Sequence, residues 1–421
     1  MAIKREGNAQ SESFTIDHIH LETGSKYYAI DEVLEKLTIT ETLDGMMTGE
    51  LIICNKVGFF DQLDLMGNDN ILRIKIKSTS KHKAEGKTFE RVFRVYHYSD
   101  TFSHQSATGY AQLLFKSIGA VNNNFKRVSK SYKNVGTHII VADMLKLIGY
   151  EEKEINVEPT MYNRDIVIPN ITPLEAIDFL KNHSVSGETK HKGDSAFYMF
   201  ESRDKVNFVS RSALVSKEPI AKYAVGLDAA GLNQNVAISF TLDSGFNIES
   251  QASEGAYGLT VVSHSLLDKS ISHVRMTPDK IDGVYSKMNE QPATNVDYSP
   301  SNRIVIASED QMYKFQNMGA NGNTIAIREM NKSRIKEKRA LMQIGADSDM
   351  TVGEVIDIIF DGAGGQSKNS SKWLIGSVVH RITKQMWITD LELFSDGSPR
   401  PIVSDANPKP KDDTKNEKKD K

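Results

Sequence analysis

His18 and His20 stand two residues apart in FTIDHIH, the spacing that puts two imidazoles on one face of a strand, where a pair of metal ligands could sit. A zinc site needs a third or fourth ligand, and none has a helpful spacing; there is no HExxH either. Both are read as satisfied or exposed histidines. Asp347 and Asp349 imitate the start of a calcium loop, but Thr351 and Val352 stand where the next oxygen ligand and the turn glycine belong. Gly362, Gly364 and Gly365 suggest a phosphate cradle, yet the Gly-Lys-Ser/Thr ending and the receiving helix are missing, so a hairpin loop is the reading. Cys54, in the strand-like run ELIICN, is read as a small buried hydrophobe, because no histidine is near it in sequence. No Gly-x-Ser-x-Gly elbow occurs. Two of the 55 acidic residues could converge in space as a glycosidase pair, but such a pair leaves no linear sign. No catalytic, cofactor-binding or metal-ligating residue is therefore assigned, no cofactor is expected, and the chain is expected not to be an enzyme.

The elements that would hold any such residues are mostly strands. With 421 residues, 39% of them hydrophobic, the chain can bury the cores of two to four domains. A single cysteine rules out an internal disulfide. The start is polar and no run approaches the roughly 20 apolar residues of a membrane span, so a soluble, unexported chain is expected. The net charge of -3 lacks the basic excess of a dedicated nucleic-acid binder; the basic stretches Lys126 to Lys133 and Arg328 to Arg339 are read as solvated faces.

Residues 1–13 form a polar leader. Short strands are expected at Phe14 to His20, Leu51 to Ile53, Ile71 to Lys77, Val92 to Tyr98 and Tyr110 to Phe115, making an all-β unit over 14–120. An α+β unit over 121–215 follows. THIIVADMLKLIGY sets Ile139, Ile140, Met144, Leu147 and Ile148 at helical spacing ahead of Gly149. Thr172, Pro173 and Glu175 spell a capped helix start, and SRDK joins two strands as a hairpin. A second β unit occupies 216–269 and 309–396, interrupted by a small inserted domain at 270–308. It carries a helix from near Thr324 and a strand through Leu341, Met342 and Ile344. It closes with Val355 to Phe360 and a hairpin turning at Lys384 and Gln385. Residues 397–421 are a charged tail with too little apolar surface to order. Two β units of similar size hint at an internal duplication, although no clean sequence repeat is visible.

Four phrases, SAFYMFESRDKVNFVSRSAL from Ser195, EGAYGLTVVSHSLLDKSI from Glu254, TVGEVIDIIF from Thr351 and KWLIGSVVHRITKQMWITDLELFSDG from Lys372, come in a telling order and spacing. Together, over Phe14 to Gly397, the chain resembles the baseplate central hub proteins of large contractile-tailed bacteriophages. The resemblance implies a β-rich, α+β multidomain fold, with two tail-tube-like antiparallel barrel or sandwich domains flanking the α+β domain. It implies a homotrimer whose six barrels join a threefold central spike to a sixfold tail tube, with DNA passing along the axis without stable nucleic-acid binding. Implied partners are the central spike protein, the tail tube initiator protein and the surrounding baseplate wedge proteins; the place is the virion, after assembly in the host cytoplasm. The segment 270–308 and the tail match nothing in this pattern. Rival readings are a hub or spike-base subunit of another contractile injection system, a tail-associated peptidoglycan hydrolase, and a carbohydrate-binding module. The last is disfavoured because Trp373 and Trp387 both fall in the closing hairpin, where packing is the expected use.

Overall fold

The computed structural model describes residues 3–5, 13–55, 63, 65, 69–79, 87–102, 109–226, 235–244, 247–265, 269–290, 303–308, 321–362, 365–366 and 370–398. Most of the expected leader, the tail from residue 399, residues 291–302 of the expected insertion, and Gly364 lie outside the described residues.

Among the described residues up to Ser117 every element is a strand: β1 (Ile3–Arg5), β2 (Ser13–Thr23), β3 (Lys26–Ala29), β4 (Leu34–Thr42), β5 (Thr48–Asn55), β6 (Asn70–Thr79), β7 (Phe89–Phe102) and β8 (Gly109–Ser117). Six of them lie in the spatial order β2-β6-β7-β8-β5-β4, every pair antiparallel, with β1 and β3 both added to β2. Period-2 alternation does the sorting. In β6, Leu72, Ile74 and Ile76 are fully buried while Arg73, Lys75 and Lys77 stay wet.

An α+β unit follows, made of α1 (Ile118–Asn123), β9 (Val128–Gly136), α2 (Thr137–Leu147), β10 (Ile155–Val157), β11 (Asn163–Ile171), α3 (Pro173–Lys181), β12 (Phe197–Glu201), β13 (Val206–Ser210) and α4 (Arg211–Val215). The start of α3 is the expected capping box: Thr172 Oγ1 accepts from the Glu175 N–H, and the Glu175 carboxylate accepts from the Thr172 N–H at 2.8 Å. Gly149 follows α2 at φ +110°, a conformation open to glycine. The buried face of α2 is rotated from the expected one. Ile140, Val141, Met144, Leu145 and Ile148 go inward, whereas Ile139 and Leu147 are 50% and 40% exposed. The residues one turn apart at Val141 and Leu145 face the sheets β9–β11 and β10-β13-β12, and that choice leaves Ile139 and Leu147 at the flank.

The remaining strands and helices are β14 (Ala221–Val225), β15 (Asn235–Val236), β16 (Ser239–Ser244), α5 (Ile248–Glu254), β17 (Leu259–His264), β18 (Ile271–Met276), α6 (Pro278–Ile281), β19 (Ile304–Ser308), α7 (Gly322–Arg334), β20 (Lys338–Ile344), β21 (Val355–Gly362), β22 (Gly365–Gln366), β23 (Ser371–Ile382) and β24 (Trp387–Ser395). The strands β18-β17-β19 make a separate small sheet, and Ile325, Ala326 and Met330 of α7 close its core. Among the described residues, 270–308, expected as an insertion, supply β18, α6 and β19 of this assembly. Its third strand and its long helix lie on either side of that range, because the sheet needs both to bury Val261 and Met276.

Six of the other strands of this half lie in the order β14-β21-β23-β24-β20-β16, with β15 added to β14 and β22 to β21. Numbered along the chain, each set of six has its first, fourth, fifth, sixth, third and second strands side by side. The duplication hinted at by size is therefore present as connectivity. One pair departs from it: β14 runs parallel to β21, while β2 runs antiparallel to β6. Even a local irregularity recurs, since β7 slips against β8 between Val95 and His97, and β23 slips against β24 between Ile375 and Ser377.

Candidate assembly interface

The two six-stranded sets are joined through their backbones. Residues Leu37 to Thr42 of β4 pair antiparallel with Ile382 to Ser377 of β23, so that one 16-stranded sheet runs through both sets. The Leu43 N–H extends the seam by donating to the Gly376 carbonyl at 2.8 Å. Gly376 is required there. A Cβ at this position would overlap the Phe394 ring, so Gly376→Ala is expected to cost about 1–3 kcal/mol, read as a lowered unfolding midpoint of the full chain.

Two titratable side chains are sealed beside the seam. Glu41 lies on the same parity of β4 as Leu37 and Ile39 and is fully buried. It accepts from Thr351 Oγ1 at 2.5 Å and from the Val352 N–H at 3.0 Å. Burial pushes its carboxyl up to about 7, against the pull of those hydrogen bonds and of Arg91 and Arg203. His380, on β23, is also buried. Its ring meets Trp387 edge-on at 5.5 Å, and burial, with Arg203 adding repulsion, pushes it down to about 3.

The α+β unit clamps both sets from one side. Glu201, at the end of β12, accepts from the Met47 N–H and from Arg91 Nη2 at 2.6 Å, both in the first set. Arg203 reaches the other way, donating from Nη1 to the Ser348 carbonyl at 2.7 Å. Lys181 of α3 pairs with Asp44 at 2.6 Å. At the far end Arg211 of α4 pairs with Asp396 at 3.0 Å, both side chains buried, and Asp396 also accepts from the Met288 and Asn289 N–H groups. Asp194 gathers the Ala196 and Ser212 N–H groups, the Ser212 hydroxyl and the Asn331 amide. Such paired buried charges hold parts in register.

The residues weighed earlier as chemical candidates are scattered over this frame. His18 and His20 do share a face, their rings stacked at 4.5 Å, and His20 bonds the Tyr27 hydroxyl. Among the described residues no group of three or more His, Cys, Asp or Glu could hold a metal ion. Asp347 accepts from the Tyr223 hydroxyl at 2.7 Å and from the Asp349 N–H, a turn brace. Cys54 is buried. Gly362 pairs with Gly365 across a tight β21–β22 hairpin. Trp387 is in the core of the first set and Trp373 in that of the second. Among the described residues no helix is long and apolar enough to cross a membrane. The seam residues Glu41 and His380 were missed. Glu41 had one signal, an acid on the apolar parity of its strand; His380 had none.

The chain is 22% identical over 412 residues to the probable baseplate hub protein of the Vibrio phage KVP40, covering 92% of this chain and 95% of that one. This chain is similar to a phage baseplate hub protein. The hub resemblance thus extends along nearly all of both chains, and it supports a structural hub role in a virion tail baseplate. No protein-family profile matches the chain. Its fold is that of a 43 kDa tail protein of prophage MuSo2 from Shewanella oneidensis, with TM-score 0.57 and 13% identity over 90% of this chain and 99% of that one. A tail protein from Neisseria meningitidis has the same fold, with TM-score 0.53 and 11% identity over 90% of this chain and 96% of that one.

Proposed function

We propose that this chain is the subunit of a trimeric hub adaptor that joins a sixfold tail tube to a threefold spike and lines part of the genome channel. The observation that carries this reading is the repeated set of six strands, joined edge to edge within one subunit. Two like units per subunit convert three subunits into six, which is what a symmetry adaptor needs. The proposed partners are the central spike protein, the tail tube initiator and the surrounding wedge proteins. The buried charges serve as braces, and the chain is proposed to be non-enzymatic. The whole-chain net charge of -3 is in keeping with DNA passing without stable binding.

Sedimentation velocity across a concentration series, on the full chain alone and co-expressed with the neighbouring spike gene, tests this. A trimer in either preparation is the expected result. A monomer in both, at every concentration, would overturn the adaptor reading.

A further inference from the structure

The small sheet β18-β17-β19 is apolar on both faces, and among the described residues only one face is covered. Val261, Val274 and Val305, one from each strand, pack toward α7. Strand alternation sends their neighbours the other way. There the middle rung is Ile306, Val262 and His273, with Ile304 and Ile271 on the rungs to either side. Ile271, Ile304 and Ile306 are 67%, 64% and 81% exposed. Three isoleucines gathered on one side of a sheet are the mark of a surface that another body covers.

The polar residues of the face say what that body carries. None of the three strands, LTVVSH, ISHVRM and IVIAS, contains an Asp or Glu. Arg275 projects from β18 with no acidic partner among the described residues, and His273 stands on the same strand and the same side. The face is thus graded, apolar along β19 and cationic along β18. Its width also points to one kind of occupant. Three strands span about 10 Å, close to the diameter of a single helix, and the one helix α7 suffices for the inner face.

We propose that the outer face of β18-β17-β19 docks an amphipathic helix of a different tail protein, with its apolar stripe on Ile304, Ile306 and Val262 and a row of carboxylates facing Arg275 and His273. Helix docking on an apolar surface supplies the contact area, and the charge row fixes orientation and excludes wrong partners. A second copy of this chain does not fit the description. Among the described helices only α2 exposes large apolar residues, Ile139 and Leu147, and it sets Lys146 beside them. The inference does not rest on the number of hub subunits.

The test replaces Ile306 with the photo-cross-linker p-benzoylphenylalanine in the full chain, co-expressed with the other baseplate proteins and irradiated after assembly. The adduct, located by mass spectrometry, is expected within a helix of a different protein, on an apolar stripe flanked on one side by Asp or Glu. Adding Arg275→Glu should lower its yield by roughly tenfold or more, whereas Arg275→Lys should keep it. Residues 275 and 306 are both exposed, so these variants are expected to unfold at the wild-type midpoint, which separates lost docking from lost fold. An adduct to a second copy, to another part of the same chain, or to nothing would overturn the inference, as would a yield indifferent to the sign of the charge at residue 275. An acid-flanked helical adduct from a chain that sediments as a monomer would support the docking face while the adaptor reading fell.

Discussion

Asp396→Ala is expected to lower the stability of the full chain by about 3–5 kcal/mol, because it strands the Arg211 guanidinium in a place with almost no water. The side chains of Arg211 and Asp396 are 3% and 2% exposed. Asp396 is also the acceptor for two backbone N–H groups, at Met288 and Asn289, which lose their partner with it. Much of the loss is the penalty of a lone buried charge. Arg211→Met combined with Asp396→Leu should therefore recover a large share of it, although Arg211 also donates to the Ser286 carbonyl. Chemical unfolding of wild type, both single variants and the double variant checks this. If the double variant is as unstable as the sum of the singles, the pair is not acting as a buried ion pair.

The second large effect is on pH dependence, where Glu41 and His380 act with opposite signs. The carboxyl of Glu41 titrates near 7 in the folded chain and near 4.5 in the unfolded one. Its stabilising contribution is complete below pH 4.5 and is lost as pH rises to 7, on the order of 3 kcal/mol in all. His380 titrates near 3 folded and 6.5 unfolded, so its contribution is complete above 6.5 and is lost as pH falls toward 3. Between 4.5 and 6.5 the two slopes cancel. Glu41→Gln removes one of them. Relative to wild type, this variant should gain on the order of 3 kcal/mol between pH 4.5 and 7, measured by chemical unfolding at a series of pH values with Trp387 as reporter. A difference that is flat with pH would mean that Glu41 is ionised throughout and that the arginines outweigh burial.

Legibility followed the range of the interactions. The start of α3 could be read because Thr172, Pro173 and Glu175 settle it among themselves within one turn. The hairpin of β23 and β24 and the alternation of β6 are likewise local, and the two tryptophans went to cores as their neighbours implied. The face of α2 could not be fixed, since Ile139 and Val141 are equally apolar and only the neighbouring sheets choose between them. The seam was invisible for a stronger reason. The hydroxyl of Ser377 donates to the Glu41 carbonyl across 336 residues, and no local pattern in TITET or SVVHRI names the other as its partner. The duplication lies in connectivity and not in side chains, so size alone hinted at it: Tyr96 and Gly376 occupy the same slip and share no chemistry. The resemblance to hub proteins filled part of that gap, since it draws on the order of whole phrases.

The seam also sets an order of events during synthesis. The first set of strands leaves the ribosome long before Ser377 to Ile382 exist, so the edge of β4 must wait, unpaired, for nearly the whole chain. Ile382 and Trp387 belong to the core of that first set as well, so its interior stays incomplete for the same interval. Contacts of such long sequence separation make closure slow and leave an open strand exposed meanwhile. A chain cut short anywhere before β23 would therefore leave the first set with an open β4 edge, a strand available to the wrong partner.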